Sequence, residues 1–226
     1  ASEESILAGD GAIPVVIDEK EIVAAEPAAN IEHHGAVMRV EPYRLRMAAV
    51  IATGSEVAKG LIEVSFTPVV ERKLSAFGIE VTSRVTPGDN RDTLLAAIGL
   101  AKASGVDLVV CTGGMSVDAD DNTPAAIKRS GAHIVSYGAP VLPGAMMLLG
   151  YFEGHYGSAG KTSAPGLPIV GLPGCVMHDK ATVFDLLLPR ICAGIEITRD
   201  DLIGLGEGGL CLRCDPCTYP ICPFGR

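Results

Sequence analysis

One rhythm constrains this chain more than any other feature. Short apolar runs rich in β-branched residues end in small-residue turns, and helical patterns fill the gaps. "MAAVIATG" (47–54), "IEVTSRVTP" (79–87), "VDLVVCTGG" (106–114), "AHIVSYGAPV" (132–141) and "LPIVGLPG" (167–174) are the runs. They suit strands buried on both faces of a sheet. In "TPVVERKLSAFG", Thr67 reads as an N-cap, Pro68 as the first helical residue and Gly78 as the stop. Its Val70, Leu74 and Phe77 fall on one face. "DNRDTLLAAIGLAKASG" starts at Asp89 or Asn90 and stops at Gly105, and "TPAAIKRSG" repeats the Thr-Pro start. "VMHDKATVFDLLLPRICAG" is the last helical pattern. Pro189 is expected to kink or break it, because proline removes a hydrogen bond and clashes with the preceding turn. Strands alternating with helices at short spacing imply parallel strands joined by right-handed crossovers. The expectation is a three-layer α/β/α domain with a mostly parallel sheet over residues 47–195.

The flanks read differently. In residues 1–46, "AIPVVIDEKEIV" suits one or two strands and "AAEPAANIEHHGA" a linker, the remnant of an upstream domain. His33 and His34 are adjacent and point apart on any regular element, which suits solvated loop residues. Residues 196–226 form a cysteine-rich tail. The net charge of −9 argues against a nucleic-acid partner, which calls for a basic face. Residues 1–226 contain no apolar run of the roughly 18–20 residues that span a bilayer, so no membrane partner is expected. The chain starts at Ala1 with no leader-like pattern, and the expectation is a processed or shortened cytoplasmic protein.

In open α/β sheets, ligands sit where strands end and helices begin. Three turns should converge there: "ATGSE", "TGGMS" and "GLPGC". After the second, Asp118, Asp120 and Asp121 crowd into four positions. One carboxylate could cap a helix, but Thr123 already stands before Pro124, and three are more than a cap needs. Gly113 and Gly114 let a ligand approach the backbone, and the free N–H groups beyond suit an anion such as phosphate. Carboxylates beside a phosphate commonly hold Mg²⁺. Other templates fail. There is no Walker A sequence, "GLGEGG" (204–209) follows no strand, and Gly114-Met115-Ser116 lacks the closing glycine of a nucleophile elbow.

These residues carry a resemblance. The stretch from 47 to 195 resembles the molybdopterin-binding domain family, which includes molybdopterin adenylyltransferases and molybdenum insertases of molybdenum cofactor biosynthesis. "IATGSEV" is similar to that family's Ser-Thr-Gly-Asp-Glu-Leu turn, with Glu56 on the acidic position. "TGGMSVDADD" resembles Ser-Gly-Gly-Val-Ser-Val-Gly-x-x-Asp and puts Asp121 on its acid. "APVLPGA" resembles the Lys-Pro-Gly-Lys loop, and "LPIVGLPGC" resembles Pro-Val-x-Gly-Leu-Pro-Gly-Asn-Pro.

The resemblance implies a molybdopterin ligand or substrate, Mg²⁺, and adenylyl transfer or molybdate insertion, in a dimer or trimer. Asp121 and Glu56 would be the catalytic pair. Thr53, Gly54, Gly113, Gly114, Ser116, Asp118, Asp120, Gly144, Gly171, Pro173 and Gly174 would line the pterin or nucleotide site. Three departures bear on turnover. Val64-Ser65-Phe66 stands where the family has Asp-x-Asn, Ala145-Met146 where it has Lys-Pro, and Cys175-Val176 where it has Asn-Pro. Losing an acid and a lysine favours a non-catalytic pterin-binding or sensing module. A second resemblance competes: "TGGMSVDADDNT" is also similar to the Thr-Gly-Gly-Leu-Gly-Pro-Thr-x-Asp-Asp-x-Thr turn of the competence-damage-inducible family. That likeness implies a metal-dependent nucleotide pyrophosphatase, with the metal on Asp120 and Asp121.

The tail reads apart from all this. Cys211, Cys214, Cys217 and Cys222 follow C-x₂-C-x₂-C-x₄-C. Four thiols so close suit a tetrahedral zinc or an iron–sulfur cluster. Cys111, Cys175 and Cys192 lie in apolar surroundings and read as small hydrophobes.

Overall fold

The structure, a computed structural model, describes residues 18–32, 40–53, 66–88, 90–115, 121–153 and 166–225. The chain divides into two compact units, residues 1–41 and 42–226. In the first, Glu19–Glu32 forms helix α1, where strand and linker are expected from sequence. Its run of Ala and Glu has high helix propensity, which outweighs Pro27. The first part of the expected strand segment, residues 12–17, and the pair His33 and His34 lie outside the described residues.

The second unit holds a six-stranded sheet of order β2-β1-β3-β6-β5-β4. The strands are β1 (Met47–Ala52), β2 (Glu80–Val85), β3 (Leu108–Thr112), β4 (His133–Tyr137), β5 (Leu148–Phe152) and β6 (Leu167–Leu172). β2, β1, β3 and β6 run parallel, and β5 is antiparallel to both β6 and β4. The fold is therefore the expected three-layer α/β/α with a mostly parallel sheet. β5 was not legible as a strand. It follows the Pro-Gly loop directly and forms the only reversal among the described strands.

Side-chain alternation sorts the core into two layers. Ala48, Val50, Leu108, Val110, Val170 and Leu172 face one side; Ala49, Ile51, Val109, Cys111 and Ile169 face the other. Helices α2 (Phe66–Ser75) and α6 (Val183–Cys192) cover the first face through Val70, Leu74, Phe184 and Leu187. Helices α3 (Arg91–Ala103) and α4 (Thr123–Arg129) cover the second through Leu94, Ile98 and Ile127. Asp107, buried before β3, accepts hydrogen bonds from the N–H groups of Arg46 (2.7 Å) and Met47 (2.9 Å) and so fixes the entry of β1. Among the described residues no helix is long and apolar enough to cross a membrane.

The expected helix boundaries shift for local reasons. Asn90 caps α3 as expected, accepting from Asp92 N–H at 2.8 Å. α2 begins at Phe66, so Thr67 and Pro68 lie inside its first turn, where proline's missing N–H costs nothing. The last helical pattern splits into α5 (Cys175–His178) and α6. The Asp185 carboxylate accepts from Thr182 N–H (2.7 Å) and the Thr182 hydroxyl (3.0 Å) at the start of α6, half of the exchange that starts a new helix. Pro189 does not break α6. The carbonyl it leaves without a helical donor is that of Asp185, and the Tyr219 hydroxyl donates to that oxygen at 2.7 Å. Residues 196–225 pack on the domain: α7 (Arg199–Gly204) follows Thr198, and Ile197, Leu202 and Phe224 are buried in the same core layer as α6.

Candidate functional site

The register lines up the strand ends. Val85, Ile51, Cys111, Gly171, Leu148 and Tyr137 form one row across the sheet. The residues just beyond this row form the edge where α/β sheets bind ligands. Thr53 leaves β1 with its N–H donating to Thr112 O at 2.7 Å. Its hydroxyl lies 3.3 Å from the hydroxyl of Thr123, which donates to Gly113 O at 2.9 Å. Thr123 is thus not the cap expected from sequence. Asn122 takes the N-cap position without a capping bond, and its side-chain oxygen accepts from Arg91 at 3.1 Å. Thr123 instead ties α4 to the glycine turn.

Both glycines of that turn are required. Gly113 has φ 83°, and a Cβ there would stand 2.2 Å from Thr53 O. Gly114 has φ 54°, and its Cβ would stand 2.9 Å from Thr123 Oγ1 and 3.7 Å from Asp121 Oδ1. The Asp121 carboxylate therefore lies over the turn. Below it, the fully buried Thr112 Oγ1 has no hydrogen-bond partner among the described residues. Tyr137, at the same end of β4, has its phenol pKa raised, first by burial and then by the negative charge of Asp121. Sequence reasoning missed Tyr137 and Thr112 as members of this edge. Their signal lies in the strand register, which pattern alone does not supply.

A cleft of about 460 Å³ adjoins this edge, between the Leu142–Met146 loop, the turn after β6 and the Leu210–Arg213 segment. Pro173 lies one position past Leu172, the partner of Thr112 in β3, so it stands beside Gly113. The loop is held by Val183 N–H donating to Pro143 O (3.0 Å) and Cys211 N–H donating to Leu142 O (3.4 Å). Burial raises the Cys175 thiol pKa and the charge of Asp179 adds to it; backbone contacts, Gly144 among them, pull the other way. Asp179 pairs with Arg213 through two contacts of 2.8 and 3.3 Å. Ala145 and Met146 line the cleft with apolar groups.

Of the residues singled out in the sequence, Thr53, Gly113, Gly114 and Asp121 meet at the edge. Pro173 and Gly144 line the adjoining cleft, with Gly174 in the same turn. Gly171 is buried within β6, where a Cβ would stand 2.7 Å from Met115 Cε. Gly54, Glu56, Ser116, Asp118 and Asp120, together with Val64 and Ser65, lie outside the described residues. Cys211, Cys214, Cys217 and Cys222 are free thiols. They line one cavity with Arg213. Among the described residues, no three His, Cys, Asp or Glu side chains are grouped closely enough to hold a metal ion.

Comparison with known proteins agrees with this architecture. The family described as "Probable molybdopterin binding domain" matches residues 49–193. The chain belongs to that family. The tungsten cofactor synthesizing protein MoaB from Pyrococcus furiosus shares the fold, with a TM-score of 0.51 and 22% identity over 66% of this chain and 93% of that one. A CinA-like protein of Mycobacterium sp. (strain JLS) is 34% identical over 82 residues, 36% of this chain and 20% of that protein. A competence-damage inducible protein homologue of Streptococcus pneumoniae (strain CGSP14) is 27% identical over 191 residues, 72% of this chain and 45% of that protein. The match thus spans less than half the length of either of these curated relatives.

Proposed function

We propose that this chain binds molybdopterin, or a nucleotide-linked form of it, at the carboxyl edge of the sheet, as part of molybdenum cofactor biosynthesis in the cytoplasm. The observation that carries the reading is the left-handed turn at Gly113 and Gly114, packed against Thr53 and Thr123 at the carboxyl edge with the Asp121 carboxylate beside it. Backbone N–H groups at such a turn suit a phosphate. The Thr53–Thr123 pair and the Thr123 bond to Gly113 O hold the turn in place. Pro173, Gly174 and Gly144 form the facing wall, and the sequence adds Gly54, Ser116, Asp118 and Asp120 to the same ligand.

Asp121, with Glu56, is the acidic pair that would position a cation. A single carboxylate plus phosphate oxygens and waters is an ordinary donor set for Mg²⁺. When bound, Mg²⁺ would neutralise charge between Asp121 and the phosphate. Ala145 and Met146 offer no charge to the ligand, and that favours binding over adenylyl transfer or molybdate insertion. The functional unit is a homo-oligomer, a dimer or trimer.

A second reading draws on the likeness to CinA-like and competence-damage inducible relatives: a metal-dependent nucleotide pyrophosphatase with Asp120 and Asp121 at the metal. One experiment separates the two. Molybdopterin, its adenylylated form, ATP and a dinucleotide are titrated into wild type and Asp121→Ala, with and without Mg²⁺, following heat and product formation. The first reading expects Mg²⁺-dependent pterin binding that the variant loses. Hydrolysis of the dinucleotide with no pterin binding would overturn it in favour of the second.

A further inference from the structure

The cysteine tail takes no part in the proposed function, yet it is built into the domain. Backbone bonds close its base: Gly209 N–H donates to Pro223 O (2.9 Å) and Gly225 N–H to Gly209 O (3.0 Å). Phe224 is buried in the core layer beneath α6. Midway along, the Tyr219 hydroxyl holds Asp185 O, and Arg213 holds Asp179. Residues 211–222 are therefore a loop whose ends and middle are already fastened. The entropic cost of closing it is met by the fold.

All four cysteines of this loop line one cavity of about 40 Å³. A volume of that order accommodates something between one and a few water molecules, the scale of a single ion. Cys211 and Cys222 also pack against the core layer, but none of the four thiols is fully buried. Cys214 is exposed and Cys211, Cys217 and Cys222 are half-buried, whereas Cys111 and Cys192 are buried. Arg213, which also lines the cavity, takes the left-handed conformation at φ 51°. That conformation is disfavoured for a non-glycine residue, and it falls between Cys211 and Cys214.

We propose that residues 211–222 bind one thiophilic metal ion, as a Zn²⁺ site with four thiolates from Cys211, Cys214, Cys217 and Cys222. Thiolate sulfur is the preferred donor for zinc, and four of them satisfy its tetrahedral geometry. The side chains are not within ligating range of a common point in this structure. Binding would require them to turn inward around the cavity. The chemistry balances simply: four thiols lose their protons to solvent as four Zn–S bonds form. The complex carries a double negative charge, and the Arg213 guanidinium stands beside it. Because Cys211 lines both this cavity and the cleft beside Pro173, closing the metal site fixes one wall of that cleft.

The test uses the whole chain, purified without oxygen and with a reductant. Metal content is measured, and the metal-stripped protein is titrated with Co²⁺. The expected result is one zinc per chain. Co²⁺ should give intense thiolate charge-transfer bands and tetrahedral ligand-field bands that Zn²⁺ abolishes, with release of four protons. Cys214→Ser and Cys217→Ser should each lose the tetrahedral spectrum, and Cys175→Ser should keep it. A measurement on wild type alone guards against misfolded variants: Zn²⁺ should protect all four tail cysteines from maleimide, and a chelator should expose them. Absence of stoichiometric metal with only a weak octahedral Co²⁺ spectrum would overturn the proposal, as would bands that survive both tail substitutions. Iron with acid-labile sulfide in place of zinc would overturn the mononuclear assignment.

Discussion

Tyr219→Phe tests how this fold tolerates a proline inside α6. Pro189 offers no N–H to the Asp185 carbonyl four residues earlier, and the Tyr219 hydroxyl donates to that oxygen at 2.7 Å. Removing the hydroxyl strands the acceptor. An unsatisfied buried acceptor costs about 1–3 kcal/mol; because Tyr219 is half-buried, the lower end applies, about 1 kcal/mol by the same measure. For a chain of this size that corresponds to a fall of about 2–4 °C in melting temperature. The control is the same substitution in a Pro189→Ala background. There the amide at position 189 can donate to Asp185 O as in any helix, so losing the hydroxyl should cost almost nothing. Urea unfolding of the four proteins, in reductant and at equal slope, gives the coupling energy, expected at about 0.5–1 kcal/mol. An equal cost for Tyr219→Phe in both backgrounds would refute the reasoning, because the hydroxyl would then be serving something other than the proline's orphaned carbonyl.

Other perturbations test other parts. Gly113→Ala forces a Cβ to within 2.2 Å of Thr53 O at φ 83°; a loss of about 2 kcal/mol or more is expected, read by thermal unfolding. Asp201, whose hydrogen bond from Arg190 lowers its pKa from 3.8 to about 2, contributes stability that is fully present above pH 3.8. That stability is lost as pH falls towards 2. Because the pair is well exposed to solvent, the contribution is no more than about 1 kcal/mol, and Asp201→Asn should flatten that stretch of the stability–pH curve. Burial pushes the thiols of Cys111 and Cys192 up to about 12. In the reduced, metal-free native protein they should resist alkylation that modifies Cys214, and react only on unfolding, as peptide mass spectrometry would show.

What the sequence revealed, and what it hid, follows from how local each determinant is. β1 and β3 were legible because runs such as "AAVIA" and "LVVC" carry no helical period and are buried on both faces; β2 and β4, expected to be equally buried, stand at the two ends of the sheet and carry exposed positions. The edge turn was legible because two consecutive glycines have few uses. β5 was hidden because "LLGYF" is too short for periodicity to separate strand from buried helix. Tyr137 was hidden because its place depends on pairing with Leu148, which pairs in turn with Gly171. The same limit explains Pro189. The local rule against proline in a helix is sound, and reading 176–194 alone gives a broken helix. The remedy is a hydroxyl 34 residues from Asp185, inside the segment whose cysteine spacing had suggested a detached metal-binding tail. That one bond ties the two problems together. The helix that carries a core face of the domain depends on the cysteine loop for a hydrogen bond, and the loop depends on the helix for its anchor. A metal ion closing that loop would therefore act on α6, and through Cys211 on the wall of the ligand cleft, with no change in the sheet.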